Sequence, residues 1–181
     1  MRPLFTIHGG EYLVGSHVEK HFRRVNVWIP SRDTGVDLLV SDRQNRHAVS
    51  LQVKFSKDFL PAMDGMFQKN LRACGWWTIN GSKLRESKAD LWVFVLPGFA
   101  ENTTDFVIIP KKELWRRLRS IHGSRKTIQT YIWVTEDNHC WETRGLPRED
   151  QFRVADSRYQ DAKRDLTKWL NEWAPVARLN G

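Results

Sequence analysis

Hydrophobic residues recur along the chain with two different periods, which separate predicted helices from predicted strands. Val14, Val18 and Phe22 are spaced four residues apart, as on one face of a helix. They predict a helix over residues 11–24, and Glu11 belongs to the same inward stripe. This first helix would therefore carry a carboxylate toward the core.

Two further helices are predicted in the second half of the chain. Residues 111–121 place Leu114, Leu118 and Ile121 on one face and three cations on the opposite face. A terminal helix is predicted over about 156–173, where apolar residues again share a stripe: Tyr159, Ala162, Leu166, Trp169 and Trp173. That stripe could form core or a dimer surface, and both interpretations stay open.

Short β-rich runs make up most of the remaining pattern. They lie at 25–29, 36–40, 48–55, 91–96, 106–109 and 128–135. The stretch 58–86 contains several glycines and is predicted to be irregular. This order of elements predicts an α/β fold, with a mixed β-sheet flanked by helices, in a single domain over 1–181.

The second and third runs are joined by a polar turn and predict a β-hairpin. Alternation places Val49, Leu51, Val53 and Phe55 on one face of the second strand, and Ala48, Ser50, Gln52 and Lys54 on the other. In the first strand Asp37 interrupts an apolar segment. Because a buried carboxylate is costly without a cation or hydrogen bonds, Asp37, Gln52 and Lys54 form a candidate cluster.

An Asp at the start of one strand, followed on the next by Gln-x-Lys, resembles the PD-(D/E)XK, or restriction-endonuclease-like, nucleases. Here the segments are Val-Asp-Leu-Leu-Val at 36–40 and Leu-Gln-Val-Lys at 51–54. The pattern is similar to the branch with Gln in place of the second acid, as in Mrr-like enzymes and in small uncharacterised domains that open with Gly-Glu-Tyr. The motif core covers 9–57, and the order of elements extends the likeness to about residue 120.

The resemblance implies a restriction-endonuclease-like fold and a divalent-metal-dependent hydrolysis of DNA phosphodiester bonds. It implies Mg²⁺ or Mn²⁺ held by Glu11, Asp37, Gln52 and the backbone carbonyl of Val53, with Lys54 completing the catalytic set. Oxygen atoms are the ligands that Mg²⁺ prefers. Because Gln52 carries no charge, one weakly held ion is expected rather than two. Asp33 is a rival acid, but it lies in turn-like sequence and ranks below Asp37.

The charge of the chain favours a polyanionic partner. It contains 29 Lys and Arg against 21 Asp and Glu, a formal net charge of +8. Lys57, Lys112, Arg116 and Arg119 are the predicted phosphate contacts, and the alternative is that they form only a solvated face. DNA is the expected partner, with RNA as an alternative. The nine Trp residues could serve as core or as base-stacking platforms.

Other features narrow the class of protein. Cys74 and Cys140 are too few for a disulfide framework, and no apolar run is long enough to span a membrane, so a cytoplasmic protein is expected. Neither a zinc-ligand spacing nor a Gly-rich nucleotide loop is present. The sequence predicts an endonuclease of defence, mobile-element or recombination systems. A non-catalytic nucleic-acid-binding module and a partner subunit are the alternatives, and a homodimer stays open.

Overall fold

The structure is a computed structural model, and it describes residues 8–32, 35–56, 69–100 and 103–181. Its helices are α1 (Gly9–His21), α2 (Gly81–Glu86), α3 (Lys111–His122), α4 (Arg148–Ala155) and α5 (Ala174–Ala177). Its strands are β1 (Val25–Trp28), β2 (Leu38–Asp42), β3 (Ala48–Phe55), β4 (Leu71–Asn80), β5 (Leu91–Pro97), β6 (Thr104–Pro110), β7 (Thr127–Thr135) and β8 (Cys140–Glu142). Within these ranges no helix has the length and apolarity needed to cross a membrane.

A five-stranded sheet forms the centre of the fold. Its order is β1-β2-β3-β5-β6, and the pairing of β3 with β5 is parallel while the other pairings are antiparallel. The predicted hairpin is present, with Leu38 opposite Leu51 and Val40 opposite Val49. The prediction of a mixed sheet with helices against it is confirmed.

The two faces of this sheet pack against different layers. Leu51, Val53 and Val93 share a core with Val14 and Val18 of α1, all of them buried. The opposite face of β5 packs toward a second core, which includes residues from a three-stranded antiparallel sheet in the order β4-β7-β8. Because both sheets contribute to that second core, the described residues form a single α/β domain.

The three-stranded sheet is the largest departure from the sequence prediction, because β4 lies inside the stretch expected to be irregular. Gly75 does not interrupt the strand. A Cβ atom at Gly75 would lie 2.2 Å from the Trp77 ring, so the glycine leaves room for that indole to fold back over the strand. The pairing with nine residues of β7 then satisfies the backbone of β4.

The predicted terminal helix over 156–173 is wrong. This segment forms turns and one 3-10 helix, Thr167–Trp169. Its backbone bonds to a neighbouring strand instead of to itself: Leu166 N–H donates to Cys140 O at 2.7 Å, and Glu142 N–H to Arg164 O at 2.9 Å. Within the predicted stripe, Leu166 and Trp169 are nevertheless buried as core, whereas Ala162 is exposed.

Candidate functional site

A cleft of about 910 Å³ brings together the N-terminus of α1, the β2–β3 hairpin and the β4–α2 segment. The four predicted catalytic residues, Glu11, Asp37, Gln52 and Lys54, all line it, and so does Val53. Three parts of the chain far apart in sequence thus meet here.

Asp37 is held in place by the hairpin itself. Its N–H donates to Leu51 O at 2.8 Å, which extends the β2–β3 pairing by one step. Its Oδ2 accepts from Val53 N–H at 2.8 Å and from the Gln52 side-chain amide nitrogen. The residue is only 9% exposed, yet no ion pair joins its carboxylate to any described residue. Burial without a cation is costly for a carboxylate, so Asp37 is suited to receive one.

Gln52 is equally buried, and its two amide atoms have different roles. The nitrogen donates to Asp37, whereas the carbonyl oxygen accepts no hydrogen bond from the described residues. A neutral oxygen is thereby left beside a carboxylate in the same cleft. This pairing of one charged and one neutral oxygen is suited to a hard divalent cation.

Glu11 reaches the cleft from the first turn of α1. Its Oε2 accepts from the backbone N–H of His8 at 3.2 Å, which caps the helix, and the residue is 5% exposed. Gly10 allows the close approach, since a Cβ there would lie 2.6 Å from Phe55 Cβ. The first turn of the helix is therefore packed directly onto the end of β3, and Glu11 both caps α1 and lines the cleft.

Lys54 lies on the face of β3 opposite α1, as the alternation predicted. Its Nζ sits 5.2 Å from the centre of the Trp92 ring, a cation–π distance. Trp92 lines the same cleft, and its indole N–H donates to Ser87 Oγ at 3.3 Å. The aromatic ring thus positions the half-buried ammonium group in the site.

Two cations of the cleft were missed by the sequence analysis. Lys83 in α2 and Lys88 just after it line the cleft, and neither side chain pairs with a described residue. A local signal was present: Asn80 Oδ1 accepts from Lys83 N–H at 3.0 Å, the N-cap that an Asn before a short helix can provide. Lys83 reaches the cleft because α2 follows β4, whereas Lys88 precedes β5, and its carbonyl oxygen accepts from Ser50 Oγ of β3 at 3.5 Å.

The predicted phosphate contacts on α3 do not line this cleft. Arg116 is bound by Glu113 through two hydrogen bonds of 2.8 and 2.6 Å. This pairing lowers the pKa of Glu113 to about 2. Lys112 and Arg119 are exposed. Lys57 and the rival acid Asp33 lie outside the described residues.

The donor set fits a divalent metal ion in chemical type. Glu11, Asp37 and Gln52 supply two carboxylates and one amide oxygen, and all three are nearly buried in one cleft. The described parts of the chain contain no cluster of three His, Cys, Asp or Glu side chains arranged for a metal. A metal at this site would thus depend on the amide oxygen of Gln52 as well as on the two acids.

Comparisons of the chain with protein-family models, with curated proteins and with solved structures give no match.

Proposed function

We propose that this protein is a divalent-metal-dependent endonuclease that hydrolyses phosphodiester bonds of DNA. The observation that carries the proposal is Asp37, a buried carboxylate with two amide donors, without a cationic partner among the described residues, and lining the same cleft as Glu11, Gln52 and Lys54. The likeness of the hairpin to PD-(D/E)XK enzymes supports the same assignment. The basic balance of the chain suits a polyanionic substrate.

Each side chain has a definite task in this proposal. Glu11, Asp37 and Gln52 would hold Mg²⁺ or Mn²⁺, together with the Val53 carbonyl that the resemblance implies. Such an ion supplies an activated water and offsets charge on the phosphoryl oxygens. Lys54 would donate a hydrogen bond to a phosphoryl oxygen and stabilise the negative charge that builds up there.

Lys83 and Lys88 are suited to hold the substrate rather than to react with it. Both are exposed cations that line the same cleft as the carboxylates of the hairpin and α1. Phosphates on either side of the scissile bond would be attracted to them, because backbone neutralisation by Lys supplies much of the affinity for DNA. We expect the protein to act in the cytoplasm, where two buried thiols, Cys74 and Cys140, remain reduced.

One observation favours a second function, a nucleic-acid-binding module without hydrolysis. The Gln52 amide nitrogen already donates to Asp37, so this carboxylate has a neutral partner without any metal. In that case the cleft would bind phosphates through Lys54, Lys83 and Lys88 and would not need an ion.

A nicking assay separates the two functions. Supercoiled plasmid is incubated with wild-type protein in Mg²⁺, Mn²⁺ or EDTA, beside the Asp37→Asn variant. Metal-dependent nicking that is absent from the variant supports the endonuclease. DNA binding that is equal in both proteins, with no nicking by either, would support the binding module instead.

A further inference from the structure

A second cleft lies behind α2, on the side away from the candidate active site. We call it the α2–α3 cleft; it has a volume of about 420 Å³ and is lined by Gly81, Ser82, Arg85, Trp115, Arg119, Ser124, Arg125 and Lys126. No Asp or Glu is among these lining residues. The two clefts share α2, whose Lys83 lines the active-site cleft while Ser82 and Arg85 line the other.

The charges of this cleft differ from those on the rest of α3. Arg116 and Arg117 are both paired with Glu113, at 2.6 and 2.8 Å, so that one carboxylate offsets part of their charge. Arg119, Arg125 and Lys126 have no ion pair and no side-chain hydrogen bond with the described residues. The cleft thus gathers three cations that have no ion pair among the described residues, beside Arg85, which is paired with Glu86 at 2.9 Å.

The cleft is built on a fixed backbone. Gly81 N–H donates to Lys126 O at 2.8 Å, which ties the loop after α3 to the start of α2. The half-buried Trp115 packs against the core that both sheets share and gives the cleft an apolar floor. Arg125 also lines a smaller cleft with Arg144 and His122, so the basic surface continues toward β7.

We propose that the α2–α3 cleft binds the phosphate backbone of the DNA a few nucleotides from the bond held in the active-site cleft. This inference rests on the proposed function, because it treats the bound polyanion as the substrate. A helix is about 10 Å across with its side chains, and one DNA strand carries a phosphate about every 3.4 Å along the duplex axis. The two clefts would thus contact phosphates about three nucleotides apart, on either side of α2.

The test compares two triple variants with the same change in charge. Arg119→Gln/Arg125→Gln/Lys126→Gln removes three cations from the cleft. Arg23→Gln/Arg43→Gln/Arg46→Gln removes three exposed cations near the turn of the β2–β3 hairpin. Binding to a fluorescent 24-base-pair duplex is measured by anisotropy from about 50 to 200 mM salt, where each phosphate contact contributes about one unit of log–log slope. Thermal unfolding checks that both variants fold.

The cleft variant should lower the slope by about 3 and weaken binding at least about tenfold at 100 mM salt, while the control should change the slope by less than about 0.5. Equal losses of affinity in both variants would show that the effect depends on total charge and would overturn the inference. An unchanged slope in the cleft variant would overturn it as well. Plasmid nicking is measured in parallel on wild-type protein. If the wild-type protein nicks DNA but the cleft variant and the control lower the slope equally, the inference is rejected and the proposed nuclease is not. If the cleft variant lowers the slope as expected but the wild-type protein does not nick DNA, the proposed nuclease is rejected and the inference is not.

Discussion

Two buried carboxylates, Glu142 and Asp37, sit in opposite electrostatic surroundings. Glu142 is 1% exposed, and its oxygens contact Arg164 Nη1 at 2.6 Å, His122 Nε2 at 3.1 Å and Thr130 Oγ1 at 3.2 Å. Asp37 is 9% exposed, and the described residues offer its carboxylate one backbone N–H and the Gln52 amide as donors. Within the described part of the chain, a cation is present for Glu142 but not for Asp37.

The difference supports the proposal that Asp37 has a functional role, whereas Glu142 has a structural one. Glu142 ties the end of β8 to Arg164 in the chain after α4, and Asp105 is bound to Arg72 in the same manner, at 2.8 Å. Both acids connect distant segments. Asp37 connects only the two strands of its own hairpin, which backbone pairing already joins. The Asp37 carboxylate lines a cleft but joins no distant segments, and binding of a ligand would account for its presence there.

Asp37→Asn should give the largest effect, a loss of nicking of at least about 1,000-fold, because it removes the principal anionic metal ligand. The free energy of unfolding should stay within about 1 kcal/mol of wild type, or rise, since the amide oxygen can still accept from Val53 N–H and a buried charge is removed. Nicking rates and urea titrations measure the two quantities. A large loss of stability would place Asp37 in the same class as Glu142.

Glu142→Gln should produce the opposite result: a loss of about 3 kcal/mol in the free energy of unfolding, with nicking by the folded protein retained. Removing the charge of Glu142 leaves the half-buried Arg164 with only the longer ion pair to Asp161, at 3.8 Å, among the described residues, and breaking a buried ion pair costs about 3–5 kcal/mol. Urea unfolding checks this value. Loss of nicking in folded Glu142→Gln protein would break the division between the two acids.

Lys54→Met tests whether Lys54 contributes to nicking or, like Arg164, to stability. We expect nicking to fall about 100-fold, because a charge-stabilising donor is lost, while stability changes by less than about 1 kcal/mol. Arg164→Met is the matched control and should destabilise the protein strongly. If both substitutions destabilised alike, Lys54 would have a structural role.

Gln52→Glu should make the stability of the protein depend more strongly on a bound metal ion. A second carboxylate beside Asp37 adds like charge, so we expect metal affinity to rise about tenfold, and the metal-free protein to be less stable than wild type. Calorimetric titration with Mn²⁺ and unfolding with and without the ion test this. Gln52→Ala is the control, and its affinity should fall. An unchanged Mn²⁺ affinity in Gln52→Glu would exclude this side chain as a ligand.

The smallest expected effect is a dependence of the free energy of unfolding on pH, and it decides at which pH the Asp37 and Glu142 variants should be compared. Burial, then the charges of His21 and Lys20, lower the pKa of His17 to about 4, and its ring stacks on Trp173 at 4.7 Å. Between pH 6.5 and 4 the unfolded chain binds a proton that the folded protein does not, so stability should fall as pH falls through this window. After discounting for partial exposure, the loss is about 1 kcal/mol.

Urea titrations at pH 7.5 and 4.5 measure the loss. His17→Phe should flatten the profile, whereas His47→Gln, at an exposed position, should leave it largely unchanged. A full pH dependence in His17→Phe would assign the titration to another group. The two carboxylates are best compared above pH 7, where this contribution is constant.

The sequence alone was sufficient for features that depend on near neighbours. Period-two alternation placed Gln52 and Lys54 on one face of β3, and the four-residue spacing of α1 placed Glu11 on its buried stripe. The hairpin then brought Asp37 to Gln52, because pairing of adjacent strands through a short turn fixes the register. The mixed α/β class followed from the order of the same elements.

Tertiary structure decided the remainder. Gly75 indicates a break in the sequence pattern, but it accommodates the Trp77 ring. The strand β4 pairs with β7, whose paired residues lie 47 (Asn80 to Thr127) to 64 (Leu71 to Thr135) positions later. The stripe at 156–173 had helical spacing, but backbone bonds to the Cys140–Glu142 strand replaced those of a helix. Lys83 reaches the cleft because α2 follows directly from β4, and Lys88 because the chain just before β5 bonds to Ser50 of β3. Local patterns specify which face a residue occupies, whereas contacts distant in sequence decide which faces meet.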